Sequence, residues 1–504
     1  MPAQALPHHL KKAIDLLRTD LARGWKVDDL ARLCQVPRRT LEKHFRRFIG
    51  LAPLEFLRAE RFDEVRRQLL RAPPRTTVTQ VATGCGFNHL GRFALGYRDR
   101  YGESPSDTLQ RRRVAPPANS LPVRLVAAAE RPAVAVLPFQ LIGPHAGRAS
   151  EISDEIAAVL HRTGWIRVVP PPAGRYHLCA RVTDDGIGTL RISMTLLDRA
   201  ARRYIWADTS QCAVRDLFSS SDWFSSFAAG ALWSVLRDAE IDRAGAQDPA
   251  QLKAWGLCMR ALPAILAADL ASHAAPVELL ERAIELAPHD PVPISLAAWC
   301  HGLRAAHHFT DRPNIEREKS LQLGSRASAL CAGDPFSNIM LAAANSLTGD
   351  LTTAEAHVRH ALAVDGGSAW GWGRLAWIHA YRDEAKTAIE CCQIARALAP
   401  SDPLGFLWSV GIGAANVELG RYDRAISWYR RALAEQPKAI WVNRFLAPAL
   451  AFAGRKEEGR QSLSALLRAF PELTVAHVTI GLPHTAGTCD RFSDGLASLG
   501  MRYS

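Results

Sequence analysis

The sequence predicts a multidomain, mainly α protein with an N-terminal double helix-turn-helix domain, a central small α/β domain and a C-terminal α-solenoid. Three observations carry this prediction. A basic pair of short helices is repeated near the start, strand-like and helix-like segments alternate in the middle, and helical segments then recur about every 34 residues. The expected limits are 8–113 for the first domain, 114–131 for a linker, 132–243 for the second domain, 248–482 for the repeats and 483–504 for a capping tail.

The first helix-turn-helix unit runs from Lys26 to Gly50. Apolar residues recur at helical spacing in both of its helices, and they are Leu30, Ala31, Leu33, Leu41, Phe45 and Phe48. The other face of the second helix is polar and basic, with Arg38, Arg39, Thr40, Glu42, Lys43, Arg46 and Arg47. A helix with a packed stripe opposite long donors suits the major groove of DNA. The alternative is a solvated, Arg-rich surface helix.

A second copy of this pattern spans Val78 to Gly102, with Gly86 at its turn. Phe93 and Tyr97 are its predicted buried stripe. A first helix is expected over Leu10 to Leu21, and a longer amphipathic helix over 52–71 joins the two copies. The side chains of this joining helix that are expected to point inward are Leu54, Leu57, Phe62, Val65 and Leu69.

Two helix-turn-helix units joined by a helix and followed by GESPSDTL resemble the DNA-binding domain of the AraC/XylS family of bacterial transcription regulators. The resemblance covers about Leu10 to Arg113. It implies double-stranded promoter DNA as the partner, with most base contacts made by the first recognition helix. The positions of this chain that match are Arg39, Glu42 and Lys43, while Arg38, Arg46 and Arg47 are expected to hold phosphates.

The chain departs from the family pattern at both turns. Gln35 stands where the family usually has Gly, and a left-handed backbone there costs about 1–2 kcal/mol. Pro37 replaces the usual capping Ser. In the second recognition helix, Leu90, Gly91 and Leu95 occupy places where the family often has polar residues. The second unit is therefore expected to contact mainly the DNA backbone, or to be purely structural. Its expected contact residues are Asn88, His89, Arg92, Arg98 and Arg100.

The charge distribution favours a nucleic-acid partner for the N-terminal region. Of the net charge of +12, residues through Arg113 contribute +11, with 23 Lys and Arg against 12 Asp and Glu. No run of 18 apolar residues and no signal-peptide layout is present, so neither a membrane span nor secretion is expected. Ten scattered cysteines without a CxxC pair fit a reducing cytoplasm.

The central segment alternates between strand and helix patterns. Strands are expected over 132–139, 165–170, 176–183, 189–198 and 201–209, with helices over 151–161 and 225–240. The AVLPF and IWAD stretches resemble a small α/β domain that precedes tetratricopeptide repeats in bacterial regulators and some adenylate cyclases. Asp184 and Asp185 beside Gly186 are interpreted as a turn, with a metal pair as the alternative.

Helical segments repeat along the C-terminal half of the chain. Ala327, Ala361, Ala395, Ala432 and Leu466 are spaced by 34, 34, 37 and 34 residues. Small or turn-forming residues stand twelve places before the last four, at Gly349, Asp383, Gly420 and Gly454. This period is that of tetratricopeptide repeats, of which five to six are expected, with an open concave face. Three histidines, His301, His307 and His308, are expected in a loop or on the surface, with metal binding as the alternative.

No catalytic or phosphate-binding motif appears in the sequence, and no cofactor or metal site is expected. The favoured function is a sequence-specific DNA-binding transcription regulator whose C-terminal domains receive a protein or small-molecule signal, and not an enzyme. One alternative is a repeat scaffold with a vestigial DNA-binding head. The other is an enzyme built in the α/β domain from scattered residues such as Asp154, Glu155 and Asp208. Two recognition helices per chain leave both a monomer and a dimer open.

Overall fold

The computed structural model describes residues 7–49, 51–71, 76–87, 89–101, 104–106, 109, 130–142, 149–184, 189–213, 223–331, 333–481 and 483–503. The chain divides into two compact units, Met1–Ser120 and Leu121–Ser504. None of the described helices is both long and apolar enough to cross a membrane.

The N-terminal unit consists of helices that follow the predicted double helix-turn-helix order. They are α1 (His8–Thr19), α2 (Val27–Leu33), α3 (Arg38–Ile49), α4 (Pro53–Arg71), α5 (Val78–Gly84) and α6 (Leu90–Tyr101). The pairs α2–α3 and α5–α6 are the two helix-turn-helix units, and α4 joins them. The first helix begins two residues earlier than expected.

Helix α4 belongs to two separate hydrophobic cores. Phe56 and Leu57 in its first half pack with α1, α2 and α3. Phe62 and Val65 in its second half pack with α5 and α6, including Tyr97. Because each helix-turn-helix unit is too small to bury a core alone, both depend on this shared helix.

Two apolar residues that were expected to be buried are exposed. Leu33 and Leu54 are each 42% accessible. In α2 the buried positions are Leu30, Ala31 and then Cys34, so the packed face turns away from Leu33. In the first turn of α4 the buried positions are Pro53, Phe56 and Leu57, and Leu54 falls between them. The side chain of Phe48 lies outside the described residues.

The second unit begins with a mixed sheet. Its strands are β1 (Ala133–Val136), β2 (Gln140–Ile142), β3 (Arg167–Val168), β4 (Tyr176–Asp184), β5 (Thr189–Asp198) and β6 (Arg203–Ala213). Their order is β3-β1-β4-β5-β6, and β2 also pairs with β4. The pairs made by β1 and β2 are parallel, whereas β4, β5 and β6 are antiparallel. Helices α7 (Ala149–Arg162) and α8 (Trp223–Gly245) complete the α/β layer.

The first predicted strand is wrong in one respect. Instead of one strand over 132–139, the chain forms β1, an irregular stretch that includes Pro138, and then β2. Proline has no N–H to donate and so interrupts a ladder. The strand expected over 165–170 shortens to β3 for a similar reason, since Pro170, Pro171 and Pro172 follow it. The Asp184–Gly186 turn lies largely outside the described residues.

Helices arranged in consecutive pairs follow α8. The pairs are α9 (Ala254–Ala267) with α10 (Ala275–Leu286), α11 (Pro291–Ala306) with α12 (Pro313–Leu330), α13 (Pro335–Thr348) with α14 (Leu351–Val364), α15 (Ala369–Tyr381) with α16 (Ala385–Leu398), α17 (Gly405–Glu418) with α18 (Tyr422–Glu435), and α19 (Asn443–Phe452) with α20 (Lys456–Ala469). Two shorter helices, α21 (Val475–Gly481) and α22 (Ala486–Ala497), end the chain.

The 34-residue pattern has a direct structural meaning. The recurring residues Ala327, Ala361, Ala395, Ala432 and Leu466 have no exposed surface. The four residues twelve places before the last four all adopt a left-handed backbone, with φ of 99° at Gly349, 58° at Asp383, 68° at Gly420 and 77° at Gly454. Glycine adopts this conformation without steric cost, which explains its recurrence at the turn inside each pair.

Of these four turn residues, only Asp383 is not glycine, and its side chain accepts hydrogen bonds. Its carboxylate accepts hydrogen bonds from the hydroxyl of Thr488, at 2.8 Å, and from that of Thr485. Both threonines lie at the start of α22. The carboxylate therefore ties the C-terminal helix to the turn between α15 and α16.

The inner face of the array is filled, which contradicts the expectation of an open concave surface. Most residues in the first helices of the pairs are buried; in α17, every residue from Gly405 to Val417 is buried. The array closes on itself, because Trp441 Nε1 donates to the carbonyl of Ala268 at 2.8 Å, 173 positions away. Helix α8 also packs against it, and Arg237 Nη1 contacts Asp402 Oδ2 at 2.7 Å.

A buried carboxylate joins the sheet to this array. Glu240 on α8 accepts from Tyr176 Oη on β4 at 2.7 Å and from Trp255 Nε1 on α9 at 3.1 Å. Arg243 neutralises the carboxylate at 2.6 Å. The α/β layer and the helical array therefore share one interior.

The three histidines near the end of α11 are also placed differently from the prediction. His301 and His307 are buried, and His308 is half-buried. His301 Nδ1 contacts Glu316 Oε2 on α12 at 2.5 Å. The ring of His307 lies 4.2 Å from that of Trp441, a long-range contact that local sequence does not reveal. No group of three His, Cys, Asp or Glu among the described residues is arranged to hold a metal ion.

Close helix packing predicts a specific cost at Gly413 in α17. A Cβ added there would lie 2.5 Å from Cε1 of the buried Tyr429 ring. We expect Gly413→Ala to lower the free energy of unfolding by about 1–3 kcal/mol. Urea unfolding followed by tryptophan fluorescence measures this change. The matched control is Gly487→Ala in α22, where no heavy atom lies within 4 Å; equal midpoints for the two variants would contradict the packing described.

Candidate nucleic-acid interface

The two helix-turn-helix units use the same backbone motif to end their first helix. The N–H of Val36 donates to the carbonyl of Ala31 at 3.1 Å, and the N–H of Gln35 donates to that of Arg32 at 3.1 Å. In the second unit, Phe87 and Gly86 make the equivalent bonds to Ala82 and Thr83 at 3.0 and 2.9 Å. This pair of hydrogen bonds requires a residue with a left-handed backbone conformation just after the helix.

Gln35 and Gly86 occupy that left-handed position. Their φ angles are 56° and 87°. The expected strain at Gln35 is thus present, at a cost of about 1–2 kcal/mol relative to an unstrained backbone. The recognition helices start a few residues later, where the carbonyl of Pro37 accepts from the N–H of Leu41 at 3.1 Å.

Helix α3 presents its charged side to solvent because its apolar side is fixed in the first core. Leu41 and Phe45 have no exposed surface. On the other side the side chains of Arg38, Arg39, Lys43 and Arg46 are exposed, and those of Thr40 and Glu42 are half-buried. The side chain of Arg47 lies outside the described residues. This places most of the predicted contact residues on one accessible face.

Arg38 differs from its neighbours because it is already paired. Its Nε donates to Glu42 Oε1 at 2.9 Å, and its Nη1 contacts Asp28 Oδ2 on α2 at 3.2 Å. The hydrogen bond that Arg38 donates to Glu42 and the charge of Asp28 raise the pKa of Arg38. Glu42, predicted to accept from a base, is therefore engaged within the protein, whereas Arg39, Lys43 and Arg46 have no carboxylate partner among the described residues.

The second recognition helix has a less polar exposed face. In α6 the exposed positions include Leu90 and Leu95, the latter 67% accessible. His89 is exposed just before α6, and Arg98 is exposed within it. Asn88 and the side chains of Arg92 and Arg100 lie outside the described residues. The described part of this face therefore offers fewer donors than that of α3.

Arg61 on α4 holds the two units together, a role that the sequence did not indicate. Its Nε donates to the carbonyl of Leu21 at 2.6 Å, and its Nη2 donates to that of Arg23 at 2.8 Å. Burial lowers the pKa of this guanidinium. The same group would lie 2.9 Å from a Cβ added at Gly86 in the second turn. An arginine on an amphipathic helix carries no pattern that would reveal such a contact.

The residues proposed for the enzyme alternative do not form a cluster. Asp154 and Glu155 are exposed on α7, and Asp208 is half-buried on β6. The carboxylate of Asp208 accepts from the N–H of Thr209 at 2.8 Å. Among the described residues, no hydrogen bond connects the three.

Comparison with known proteins matches the N-terminal unit. A family model described as a helix-turn-helix domain covers residues 30–111. The probable thc operon regulatory protein of Rhodococcus erythropolis is 36% identical over 110 residues, which are 22% of this chain and 33% of that protein. The XylDLEGF operon transcriptional activator 1 of Pseudomonas putida is 33% identical over 115 residues, which are 22% of this chain and 35% of that protein.

The N-terminal unit is an AraC/XylS-type helix-turn-helix domain. The chain spans about a third of the length of the curated relatives it matches.

Solved structures resemble parts of this chain. A probable AraC family transcriptional regulator from Rhodopseudomonas palustris is 33% identical, covers 21% of this chain and 98% of its own, and has a TM-score of 0.20. A thermophilic TPR protein from Thermus thermophilus is 18% identical, covers 40% of this chain and 99% of its own, and has a TM-score of 0.30. TM-scores this low carry no argument about the array. It is tetratricopeptide-like because its helices are paired and repeat with a period of about 34 residues.

The contact between Arg61 and the second turn of the AraC/XylS-type domain predicts the effect of a substitution at Gly86. A Cβ at Gly86 would lie 2.9 Å from Arg61 Cζ and 3.0 Å from Ala22 Cα. We expect Gly86→Ala to destabilise the second unit by about 1–3 kcal/mol, through strain at positive φ and this clash. Hydrogen exchange of peptides from 78–101 should then become faster.

The control for this substitution lies two residues away. Gly84 has no heavy atom within 4 Å of an added Cβ. Gly84→Ala should therefore leave the exchange of the same peptides close to that of the wild type. Identical exchange in the two variants would show that Gly86 is not the constrained position.

Proposed function

We propose that this chain is a sequence-specific DNA-binding transcription regulator. The observation that carries the proposal is the solvent-facing side of α3, where Arg39 and Lys43 are exposed and lack a carboxylate partner among the described residues. Such side chains keep their donors available for the edges of guanine, at O6 and N7. The relatives named above as operon regulators support the same function.

The proposed contacts divide by chemistry. Arg39 and Lys43 contact bases, with Thr40 beside them, and Arg46 and Arg47 hold phosphates. In the free protein Arg38 Nε donates to Oε1 of Glu42, so Oε2 is the oxygen proposed to accept from cytosine N4. In the second unit, Asn88, His89 and Arg92 contact the DNA backbone.

Helix α4 sets the spacing of the two recognition helices in this proposal. Its 19 residues correspond to roughly 28 Å at 1.5 Å per residue. Successive major grooves on one side of DNA are about 34 Å apart. A monomer whose two helix-turn-helix units are joined by this helix is proposed to contact two adjacent grooves of a promoter.

The remaining part of the chain is proposed to receive a signal. The domain limits proposed are 8–113 for DNA binding, 114–131 for the linker, 132–243 and 248–482 for the receiving part, and 483–504 for the cap. A regulator of promoters works where the chromosome is, so we propose a cytoplasmic location. The proposed role requires no catalytic activity. The scaffold alternative needs an open groove, whereas the inner face of the array is filled by its own side chains over the described residues.

Substitution of the proposed base contacts tests the function. One bidentate base contact provides about 1–3 kcal/mol of discrimination. We therefore expect Arg39→Ala and Lys43→Ala each to lower the affinity ratio between a target promoter and a scrambled duplex by roughly 5- to 150-fold. Competition fluorescence anisotropy on a fragment found by genome-wide binding measures this ratio.

The control for these variants removes the same charge from the neighbouring helix. Arg32 on α2 has a side chain that is 78% exposed and that pairs with Asp29 at 3.3 Å. Arg32→Ala should change the affinity ratio little. An unchanged ratio in Arg39→Ala and Lys43→Ala, equal to that of Arg32→Ala, would remove α3 from base recognition.

The phosphate role of Arg46 predicts a change in salt dependence. Loss of one phosphate contact reduces the slope of log affinity against log salt by about 0.9. We expect this reduction for Arg46→Ala on both target and scrambled DNA, since phosphate contacts are independent of sequence. Arg46→Lys keeps the charge and should keep the slope; the same slope in all three proteins would place Arg46 away from the phosphates.

A further inference from the structure

A cleft lies along one face of α4 in the N-terminal unit. Its volume is about 370 Å³, and small-molecule sites usually enclose about 300–1,000 Å³. Residues of both hydrophobic cores form its walls, among them Trp25 from the first core and Phe93 from the second. The cleft is therefore large enough for a small organic molecule, which would contact both cores at once.

One wall of the cleft is a stripe along α4. The lining residues that this helix contributes are Leu54, Leu57, Arg58 and Arg61. Their spacing of i, i+3, i+4 and i+7 places them on one face of the helix. The first half of the stripe is apolar, and the second half carries two guanidinium groups. The wall therefore offers both apolar surface and positive charge to one occupant.

Aromatic rings form the apolar part of the other walls. Trp25 is 7% accessible and Phe93 is 2% accessible, while Phe87 is half-buried. All three line the cleft. On α4, Leu54 adds an apolar side chain that is largely exposed. Removal of apolar surface from water is favourable, so these walls favour an occupant with an apolar body.

The two arginine side chains lie where glycines of the second unit leave room for them. Nη2 of Arg58 would lie 3.1 Å from a Cβ added at Gly96, and Cζ of Arg61 would lie 2.9 Å from one added at Gly86. Arg58 also lies over the ring of Phe62, with 5.5 Å between Cζ and the ring centroid. Both guanidinium groups therefore lie between α4 and the second helix-turn-helix unit.

Both guanidinium groups have donors without an acceptor. Arg58 has no hydrogen bond or ion pair within the described part of the chain. Nε and Nη2 of Arg61 donate to two backbone carbonyls, but its Nη1 has no acceptor among the described residues. A guanidinium can only donate, so the missing acceptors must come from solvent or from a ligand.

The lining of the cleft is positively charged. None of the described residues that line it is Asp or Glu, and the exposed His89 is among them. Asp20 is the acidic residue whose charge acts on Arg61. Its side chain lies outside the lining and accepts from the N–H of Arg23 at 3.1 Å. An anion is therefore the complementary occupant, and the apolar walls distinguish it from a bare inorganic ion.

We propose that this cleft binds a small carboxylate with an apolar body. Arg58 and Nη1 of Arg61 donate to the carboxylate, which supplies the negative charge and the acceptors that they lack. The apolar body covers Trp25, Phe93 and Leu54. Nothing in the proposed promoter contacts of α3 requires this site, so it is a further binding function of the N-terminal unit.

Occupancy of the cleft has a consequence for the two helix-turn-helix units. A molecule that contacts Trp25 in the first core and Phe93 in the second favours the arrangement of the units in which both contacts are made. The spacing of the recognition helices α3 and α6 would then respond to the ligand. This consequence, unlike the binding itself, rests on the proposed function.

The test is isothermal titration calorimetry of the full chain with sodium octanoate, without DNA. Acetate, butanoate and hexanoate form a series with the same charge, and octanol has the same chain without the charge. We expect saturable binding of octanoate, with affinity that rises roughly threefold to fourfold for each methylene that becomes buried. Octanol and acetate should each bind at least tenfold more weakly than octanoate.

Hydrogen exchange locates the bound octanoate. Exchange of peptides from α4 and α6 should become slower at saturating octanoate, because the ligand stabilises the walls of the cleft. Peptides from the helical array should exchange at the same rate with and without octanoate.

Substitution of Arg58 assigns the charge recognition. Its side chain is exposed, so Arg58→Gln should fold as the wild type does and bind octanoate at least tenfold more weakly. Arg58→Lys keeps the charge and should lose less than Arg58→Gln. The matched control is Arg32→Gln on α2, where the side chain is 78% exposed and pairs with Asp29 at 3.3 Å. Arg32→Gln should bind octanoate as the wild type does.

Several results would overturn the proposal. They are the absence of saturable octanoate binding, equal affinity for octanol and octanoate, protection confined to peptides of the helical array, and equal octanoate affinity in Arg58→Gln and Arg32→Gln. None of these measurements contains DNA. Failure here therefore leaves the proposed promoter binding intact, and loss of promoter binding in Arg39→Ala leaves this titration unaffected.

Discussion

Burial of Leu41 and Phe45 is the constraint on which the DNA-facing surface depends. These two side chains fix the rotation of α3 in the first core, and the fixed helix must then expose Arg39, Lys43 and Arg46. The core itself exists only because the first half of α4 contributes Phe56 and Leu57. The second half of the same helix supports the other helix-turn-helix unit, and Arg61 fastens that half to the loop between α1 and α2. Position and charge of the recognition surface thus follow from one shared helix.

The C-terminal unit obeys a different constraint, the closure of the helical array. Small residues at Ala361, Ala395 and Ala432 let the helices of neighbouring pairs approach closely. Gly349, Gly420 and Gly454 adopt a left-handed backbone, so the turn between the two helices has the same form in each of these pairs. Closure then places Trp441 against the first pair and covers the inner face.

The sequence predicted those features that depend on local pattern. Alternation and period located the helices of the N-terminal unit, β4 and β5, and the 34-residue repeat, because buried residues recur at fixed spacing along each element. The sequence did not predict contacts between residues that are close in space but distant in sequence. Closure through Trp441 and Ala268, burial of His301 and His307, and the contact of Arg61 with Gly86 leave no periodic trace. The sequence was less accurate for single positions. It missed the break in the first strand at Pro138. It also predicted burial of Leu33 and Leu54, which are exposed because neighbouring residues occupy the core.

The most direct test of the central claim is methylation interference on the bound promoter. Methylation at guanine N7 blocks the acceptor that Arg39 or Lys43 would use in the major groove. We predict that methylated guanines within one groove segment prevent binding of the wild type, and that part of this interference disappears in Arg39→Ala. The same interference pattern for wild type, Arg39→Ala and Lys43→Ala would show that α3 does not contact the bases.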